Sequence, residues 1–301
     1  MLEPRNLTVV VNTGDDETFH GLDVSPDLDT MMYALAGMSS WSPGWGIRGD
    51  SFHAKRALER LGAPGWFALG DRDLATHIYR THRLREGAGL SRVTRELCAR
   101  LGVRQRILPM SDDRVRTFLR CEEGLLPFQD YLVRRRARPR VRAVSLRGIR
   151  GARPAPGVIE ALRAADRVVI APSNPLVSIA PILALPGVRR TLAQRRARVW
   201  AVSPLVGGRA VKGPLVAMLR GVGRRPDNSA IADLYAPVAA TLLVGKGEVP
   251  RRPRRAEPIG FLEADTLMSG VAGARRLART LLEDRTDVPG RSQRSRRLRR
   301  G

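Results

Sequence analysis

Three short apolar runs, each ending abruptly in a polar turn, constrain this chain most. Leu7 to Asn12 reads LTVVVN and runs into TGDD. Asp166 to Pro175 reads DRVVIAPSNP, and Ala197 to Gly208 reads ARVWAVSPLVGG. Continuous β-branched runs of this length fit strands buried on both faces, not the alternation of a half-exposed sheet. Between the last two runs, VSIAPILALPGVRRTLAQ is helix-capable but interrupted by prolines. Helical spacing is clearest in DSFHAKRALERLG, LSRVTRELCARLG and PGVIEALRAAD, with Asp50, Ser91 and Pro156 or Gly157 near the expected starts. The alternation predicts an α/β fold, Rossmann-like, with a mainly parallel doubly wound sheet covered on both faces. A strand-containing subdomain is expected as an insertion at about residues 103–151. The domain is expected to span residues 1–284, leaving 285–301 as a disordered basic tail.

In such sheets ligands sit beyond the carboxyl ends of the strands, so the loops should hold the chemistry. Two acidic knots stand in the first of these loops and just beyond it: NTGDDE, Asn12 to Glu17, and SPDLDT, Ser25 to Thr30. Two readings fit Asp27 and Asp29. Ser-Pro-Asp is good helix-start chemistry, and first-turn carboxylates favour a helix N-terminus. Alternatively Asp15, Asp16, Asp27 and Asp29 supply oxygen ligands to a hard cation such as Mg2+, provided the two loops meet.

LGDRDLATHIYR, Leu69 to Arg80, fits either an ion-paired turn before a helix or a phosphate site. In the second reading Arg72 binds an anion bidentately and Gly70 permits close backbone approach. Ser173 and Asn174, at an expected helix start, offer an anion cradle or ordinary turn chemistry. The four histidines, His20, His53, His77 and His82, match no zinc motif. No P-loop, GxSxG or HExxH occurs.

The formal charge of +24 excludes less than it suggests. All but three of the 53 basic residues are arginines, a bias that matches plentiful Ala, Gly and Pro and points to genome composition. The runs at Arg134 to Arg142, Arg251 to Arg255 and Arg291 to Arg300 carry no interleaved aromatics and no nucleic-acid-binding motif. Only non-specific contact with nucleic acid is expected of them. No run of 18 apolar residues predicts a membrane span. Cys98 and Cys121 have no metal-ligand spacing and are expected as reduced thiols in a cytoplasmic protein.

TVVVNTGDD, GLDVSPDLDT, GWGI, LGDRDLATH, ILPMSDD, FQDYLVRRR, APSNPLVSIAPILALPG and ADTLM occur in the order seen in the CofD family. The chain resembles that family from about Leu7 to Leu282. The family comprises the 2-phospho-L-lactate transferases and their phosphoenolpyruvate-using counterparts of coenzyme F-420 biosynthesis. The resemblance implies transfer of a phospholactyl or phosphoenolpyruvyl group from its guanosine diphosphate derivative to the deazaflavin alcohol Fo, with release of GMP. It implies Mg2+ held by Asp15 and Asp29, with Asp29 beside the Fo hydroxyl as its base. Asp71, Arg72 and Asp73 would line the same cleft, Ser173 and Asn174 would meet the guanosine diphosphate, and a homodimer is expected. Some archaeal relatives carry a basic residue where this chain has Ala68, which changes that contact to Fo. Family members usually begin with a strand and a GGxGG-type loop ahead of the position of Leu7. A late start codon or a truncated, inactive homologue is the corresponding expectation. A nucleotide-binding regulatory relative is the alternative function.

Overall fold

The computed structural model describes residues 2–39, 45–211, 213–250 and 259–282. The basic run Arg251 to Arg255, Lys212 and the tail expected at 285–301 lie outside them. The chain divides into two compact units, Met1–Ala165 with Ser173–Gln194 and Lys212–Arg225 forming the first, and the remaining segments the second.

The first unit opens with β1, Thr8–Val11, whose TVVV sequence suits a pleated, enclosed position. A hairpin of β2, Glu17–Phe19, and β3, Leu22–Val24, comes next. Its turn uses left-handed residues, His20 at φ 52° and Gly21 at φ 74°. Then comes α1, Pro26–Leu35, with Pro26 at its first turn and Leu28 and Met32 buried one turn apart. Three more helices succeed it: α2, His53–Arg60, α3, Asp71–Arg85, and α4, Leu90–Arg100. The chain then returns as β4, Arg106–Pro109, which pairs with β1 in parallel, Val9 opposite Ile107. Residues of β1, α1, α4 and β4 share one core built on Val11, Leu28, Met32, Val93, Leu97 and Ile107.

The stretch expected as an insertion thus begins with a strand of the parallel pair. The next three strands are antiparallel: β5, Arg116–Cys121, β6, Gly124–Pro127, and β7, Val141–Arg147, in the order β6-β5-β7. A five-residue π turn, Asp130–Arg134, buries Tyr131 against this sheet. The unit is completed by α5, Val158–Ala164, and by three further helices from later in the chain.

The second unit holds a four-stranded sheet in the order β13-β12-β9-β8, every pairing parallel. Its strands are β8, Val168–Ile170, β9, Val199–Val202, β12, Thr241–Val244, and β13, Gly260–Glu263. β9 is buried at all four positions, as a central parallel strand should be. Within this unit lie the small hairpin of β10, Leu205–Val206, and β11, Arg209–Ala210, with α9, Asn228–Tyr235, and α10, Gly270–Leu282. Trp200, Val202, Leu243 and Leu277 form its core. To the first unit belong α6, Ala180–Ala184, α7, Val188–Gln194, and α8, Leu215–Gly221. The strands expected from LTVVVN, DRVVIAPSNP and ARVWAVSPLVGG are β1, β8 and β9, but only β9 is buried throughout; β1 is mostly half-buried, and Val169 of β8 is exposed. Among the described residues no single helix is long and apolar enough to cross a membrane.

Helix starts in the first unit are capped from afar. The N-cap positions of α3 and α4 are Gly70 and Gly89, which have no side chain to cap with. The Asp50 carboxylate accepts from the Arg72 and Asp73 amides at 2.9 and 3.1 Å. Asp71 in turn accepts from the His53 and Ala54 amides of α2, both at 2.9 Å. Asp112 caps α4, accepting from the Ser91 amide and hydroxyl. Asp50 therefore serves the start of α3, not the start of α2 that it precedes in sequence. A side chain at Gly70 would collide with Asp50, so glycine is required there for close approach.

Candidate functional site

The two acidic loops meet. Asn12, at the carboxyl end of β1, donates from Nδ2 to Asp27 Oδ2 at 3.1 Å. Ser25, just ahead of α1, donates its hydroxyl to Asp16 Oδ2 at 2.8 Å. The Asn12–Asp16 turn is pinned from several sides. The Gly14 amide bonds Asn12 Oδ1 at 2.9 Å, and the Thr117 amide of β5 donates to the Gly14 carbonyl at 2.7 Å. Gln129 Nε2 donates to the Asp15 carbonyl at 3.1 Å. Gly14 sits so tightly that a Cβ there would lie 2.7 Å from Thr117 Oγ1 and 3.3 Å from Pro181 Cβ.

This packing buries Asp15, Asp16 and Asp29, each less than 10% exposed. Burial, and then the neighbouring Asp27, hold Asp15 well above the ordinary carboxylate range. Burial pushes Asp16 up to about 8, against the opposing pull of Arg116, the Ser25 hydroxyl and Arg80. Asp27 is likewise raised by burial. Asp15 Oδ1, Asp16 Oδ1, Thr13 Oγ1 and Thr117 Oγ1 are buried without a protein partner. Unpaired buried oxygens of this kind cost about 1–3 kcal/mol each, and their concentration in this turn and the start of β5 makes it the candidate ligand site. A carboxylate set with free oxygens is the donor chemistry of a hard cation.

Asp29 stands differently. Arg80, on α3 and only 1% exposed, donates to both of its carboxylate oxygens and reaches the Asp23 carbonyl at 3.3 Å. Burial works against the Arg80 charge, but Asp29 outweighs it and keeps the guanidinium protonated. Arg80 also faces His77 Nδ1 at 3.2 Å. A guanidinium only donates, so Nδ1 is the acceptor and His77 carries its proton on Nε2, 3.3 Å from Asp73 Oδ1. Tyr33 of α1 donates to Asp73 at 2.7 Å and accepts from Thr76 at 2.8 Å. Burial would raise Asp73, yet His77 and the Tyr33 hydroxyl hold it below the usual value. Ligand atoms of Asp29, Asp73 and His77 lie within 4.8 Å of one another. Arg80 already supplies the cation there, so this cluster is a polar brace between α1 and α3, in which Arg80 Nε and His77 Nε2 keep no hydrogen-bond partner.

The remaining expected residues are spread along the first unit. Asp71 spends both oxygens on the α2 cap and the Ser51 hydroxyl, contacts that lower it to about 2. Arg72 is exposed, its guanidinium 3.4 Å from the Arg48 carbonyl. Ala68 is half-buried and brings no charge. Asn174 accepts from the Leu176 amide at 2.9 Å, capping the turn Pro175–Ile179, and Ser173 beside it is half-buried. The adjoining α6 brings Pro181 against Gly14, so this segment abuts the acidic turn.

Sequence reasoning passes over Arg80, Tyr33 and Arg116. The signal for Arg80 is present: Asp73, Thr76, His77 and Arg80 recur at i, i+3, i+4 and i+7, one face of a helix. Arg116 begins β5 and lines a pocket of about 120 Å³ together with Asp15, Asp16, Arg114, Thr117 and Gln129.

A parallel strand pair ending in a buried, partly unsatisfied acidic turn belongs to an α/β protein, a class in which ligands sit beyond the carboxyl ends of the strands. The family model of 2-phospho-L-lactate transferase CofD matches residues 2–265. A Streptomyces griseus phosphoenolpyruvate transferase is 46% identical over 76% of this chain and 74% of its own length. A Methanospirillum hungatei 2-phospho-L-lactate transferase is 38% identical over 94% of this chain and 92% of its own. A crystal structure of a Bacillus halodurans protein of the UPF0052 family superimposes with a TM-score of 0.50 at 19% identity, covering 81% of this chain and 74% of that one. The chain belongs to the CofD family, and it is a transferase.

Proposed function

We propose that this protein transfers a phospholactyl or phosphoenolpyruvyl group from its guanosine diphosphate derivative to the terminal hydroxyl of Fo, as a step of coenzyme F-420 assembly. The Fo oxygen attacks the phosphorus that bears the small acid, the bond to the bridging oxygen breaks, and GMP leaves with that oxygen. Such a transfer asks the protein mainly for positioning and charge neutralisation. The observation that carries the reading is the convergence of the NTGDD and SPDLDT loops into one buried centre with carboxylate oxygens left unpartnered.

Asp15 is the residue best fitted to hold Mg2+, with Asp16 beside it and Asp29 completing the acidic wall. When bound there, Mg2+ neutralises the diphosphate and the oxygen that departs with GMP. Arg80 and His77 fix the rotamer of Asp29, and for its carboxylate to take the Fo proton one oxygen would have to turn from Arg80 towards the hydroxyl. Asp73 serves this site through His77 and Tyr33, not by direct contact with substrate. Arg72 is free to swing onto a phosphate, and Ser173 and Asn174 meet the guanosine diphosphate. The setting is cytoplasmic, where unpaired thiols such as buried Cys98 and Cys121 stay reduced.

The test is GMP release from each guanosine diphospho-linked acid, with and without Fo, in Mg2+. Release that requires Fo, and that falls at least a hundredfold in Asp29→Asn, is expected. Release independent of Fo, or unaffected by that substitution, overturns the reading.

A further inference from the structure

The pocket lined by the acidic turn and the start of β5 brings buried carboxyl groups and an arginine into one lining. On one side Asp15 Oδ1 and Asp16 Oδ1 are buried and unpartnered. On the other, Arg116 is half-buried: one terminal nitrogen bonds the Val115 carbonyl at 2.9 Å, but its Nε is buried with no partner. Thr117, 2% exposed, adds a hydroxyl beside Asp15 to the same lining. Buried donor and acceptor atoms that line one cavity without a hydrogen-bond partner leave room for a third party, an anion on the arginine side that also meets the carboxyl side.

Size narrows the occupant. A pocket of about 120 Å³ is the volume of about four waters. That accommodates a three-carbon acid. Phe118, Pro127 and Phe128 supply apolar wall for a short carbon skeleton. Arg114, at the exposed rim, holds Thr18 Oγ1 at 3.2 Å and keeps a second guanidinium near the mouth.

We propose that this pocket seats the three-carbon acid end of the donor, with Arg116 binding its carboxylate. The assignment rests on the transferase reading for the identity of the donor, but not for the chemistry of the pocket. Phosphoenolpyruvate is the probe, titrated calorimetrically in Mg2+ against the whole protein, with inorganic phosphate and GMP as comparisons. Phosphoenolpyruvate should bind at least tenfold more tightly than phosphate, because only it presents both a phosphoryl group and a carboxylate. Arg116→Ala should weaken phosphoenolpyruvate at least tenfold, Arg116→Lys should recover part of the loss, and GMP binding should change less than threefold. In turnover, Arg116→Ala should raise KM for the donor and leave KM for Fo unchanged. Equal binding of phosphoenolpyruvate by wild type and Arg116→Ala overturns the assignment, as does equal binding of phosphate and phosphoenolpyruvate. If Fo-dependent GMP release fails while Arg116-dependent phosphoenolpyruvate binding persists, the transferase reading falls and the anion pocket stands.

Discussion

Replacing Arg80 by methionine isolates the brace behind Asp29. The guanidinium is 1% exposed and donates to both oxygens of a carboxylate that is itself 4% exposed. Methionine preserves most of the side-chain volume, so the main loss is the counter-charge. Removing one partner of a buried ion pair typically costs about 3–5 kcal/mol, because the other charge is left without compensation. For a unit of this size that corresponds to a fall in Tm of roughly 6–20 °C. Arg80→Lys keeps the charge but loses the two-pronged geometry, and should fall between wild type and Arg80→Met. Asp29→Leu in the Arg80→Met background removes the stranded charge and should regain at least about 2 kcal/mol, a coupling of the size seen for contacting residues. Urea unfolding of the four proteins, with donor and Fo kinetics on Arg80→Lys, checks these expectations. A stability of Arg80→Met within about 1 kcal/mol of wild type would refute the brace, because a buried carboxylate does not lose a bidentate partner so cheaply.

Two further outcomes depend on pH. The folded Asp71 carboxyl is lowered to about 2 by Ser51 and the α2 amides, so its contribution is present above the ordinary value of 3.8 and is lost as pH falls towards 2. The Tm gap between wild type and Asp71→Ala should therefore be widest at neutral pH and shrink below pH 4; a gap independent of pH would contradict the capping role. Asp16 is shifted the other way, from 3.8 to about 8, so the stability tied to its neutral form is present at low pH and lost as pH rises through that window. In the absence of divalent cation, wild type should lose Tm between pH 4 and 8 more steeply than Asp16→Asn, and parallel slopes would count against the buried, under-compensated carboxyl.

The parts of the fold that are legible in sequence are those whose burial is apolar. β1, β8 and β9 are short runs dominated by valine, so their strand character is plain, though only β9 is enclosed throughout. Helix α3 is the counter-example. Its buried face carries Asp73, Thr76, His77, Arg80 and Thr81, so hydrophobic periodicity cannot find it, and its first turn reads equally well as an ion-paired loop. Asp50 misleads for a related reason. A carboxylate just ahead of a helix looks like its cap, yet the geometry that hands it to α3 arises only when residues 22 apart meet. The acidic turns are legible because carboxylates in adjacent loops at strand ends are unusual in so basic a chain. Arg116 is not, since among so many arginines only the unpartnered Nε and the facing pocket distinguish it.

The transferase reading requires a divalent cation on the NTGDD carboxylates, not among Asp29, Asp73 and His77. Crystals soaked in Mn2+ with GDP, measured for anomalous scattering, test it directly. One strong peak bonded to the Asp15 carboxylate on the side open to ligand is expected, and it should disappear in Asp15→Asn. A peak among Asp29, Asp73 and His77 with Arg80 displaced, or a peak that survives Asp15→Asn, would contradict it.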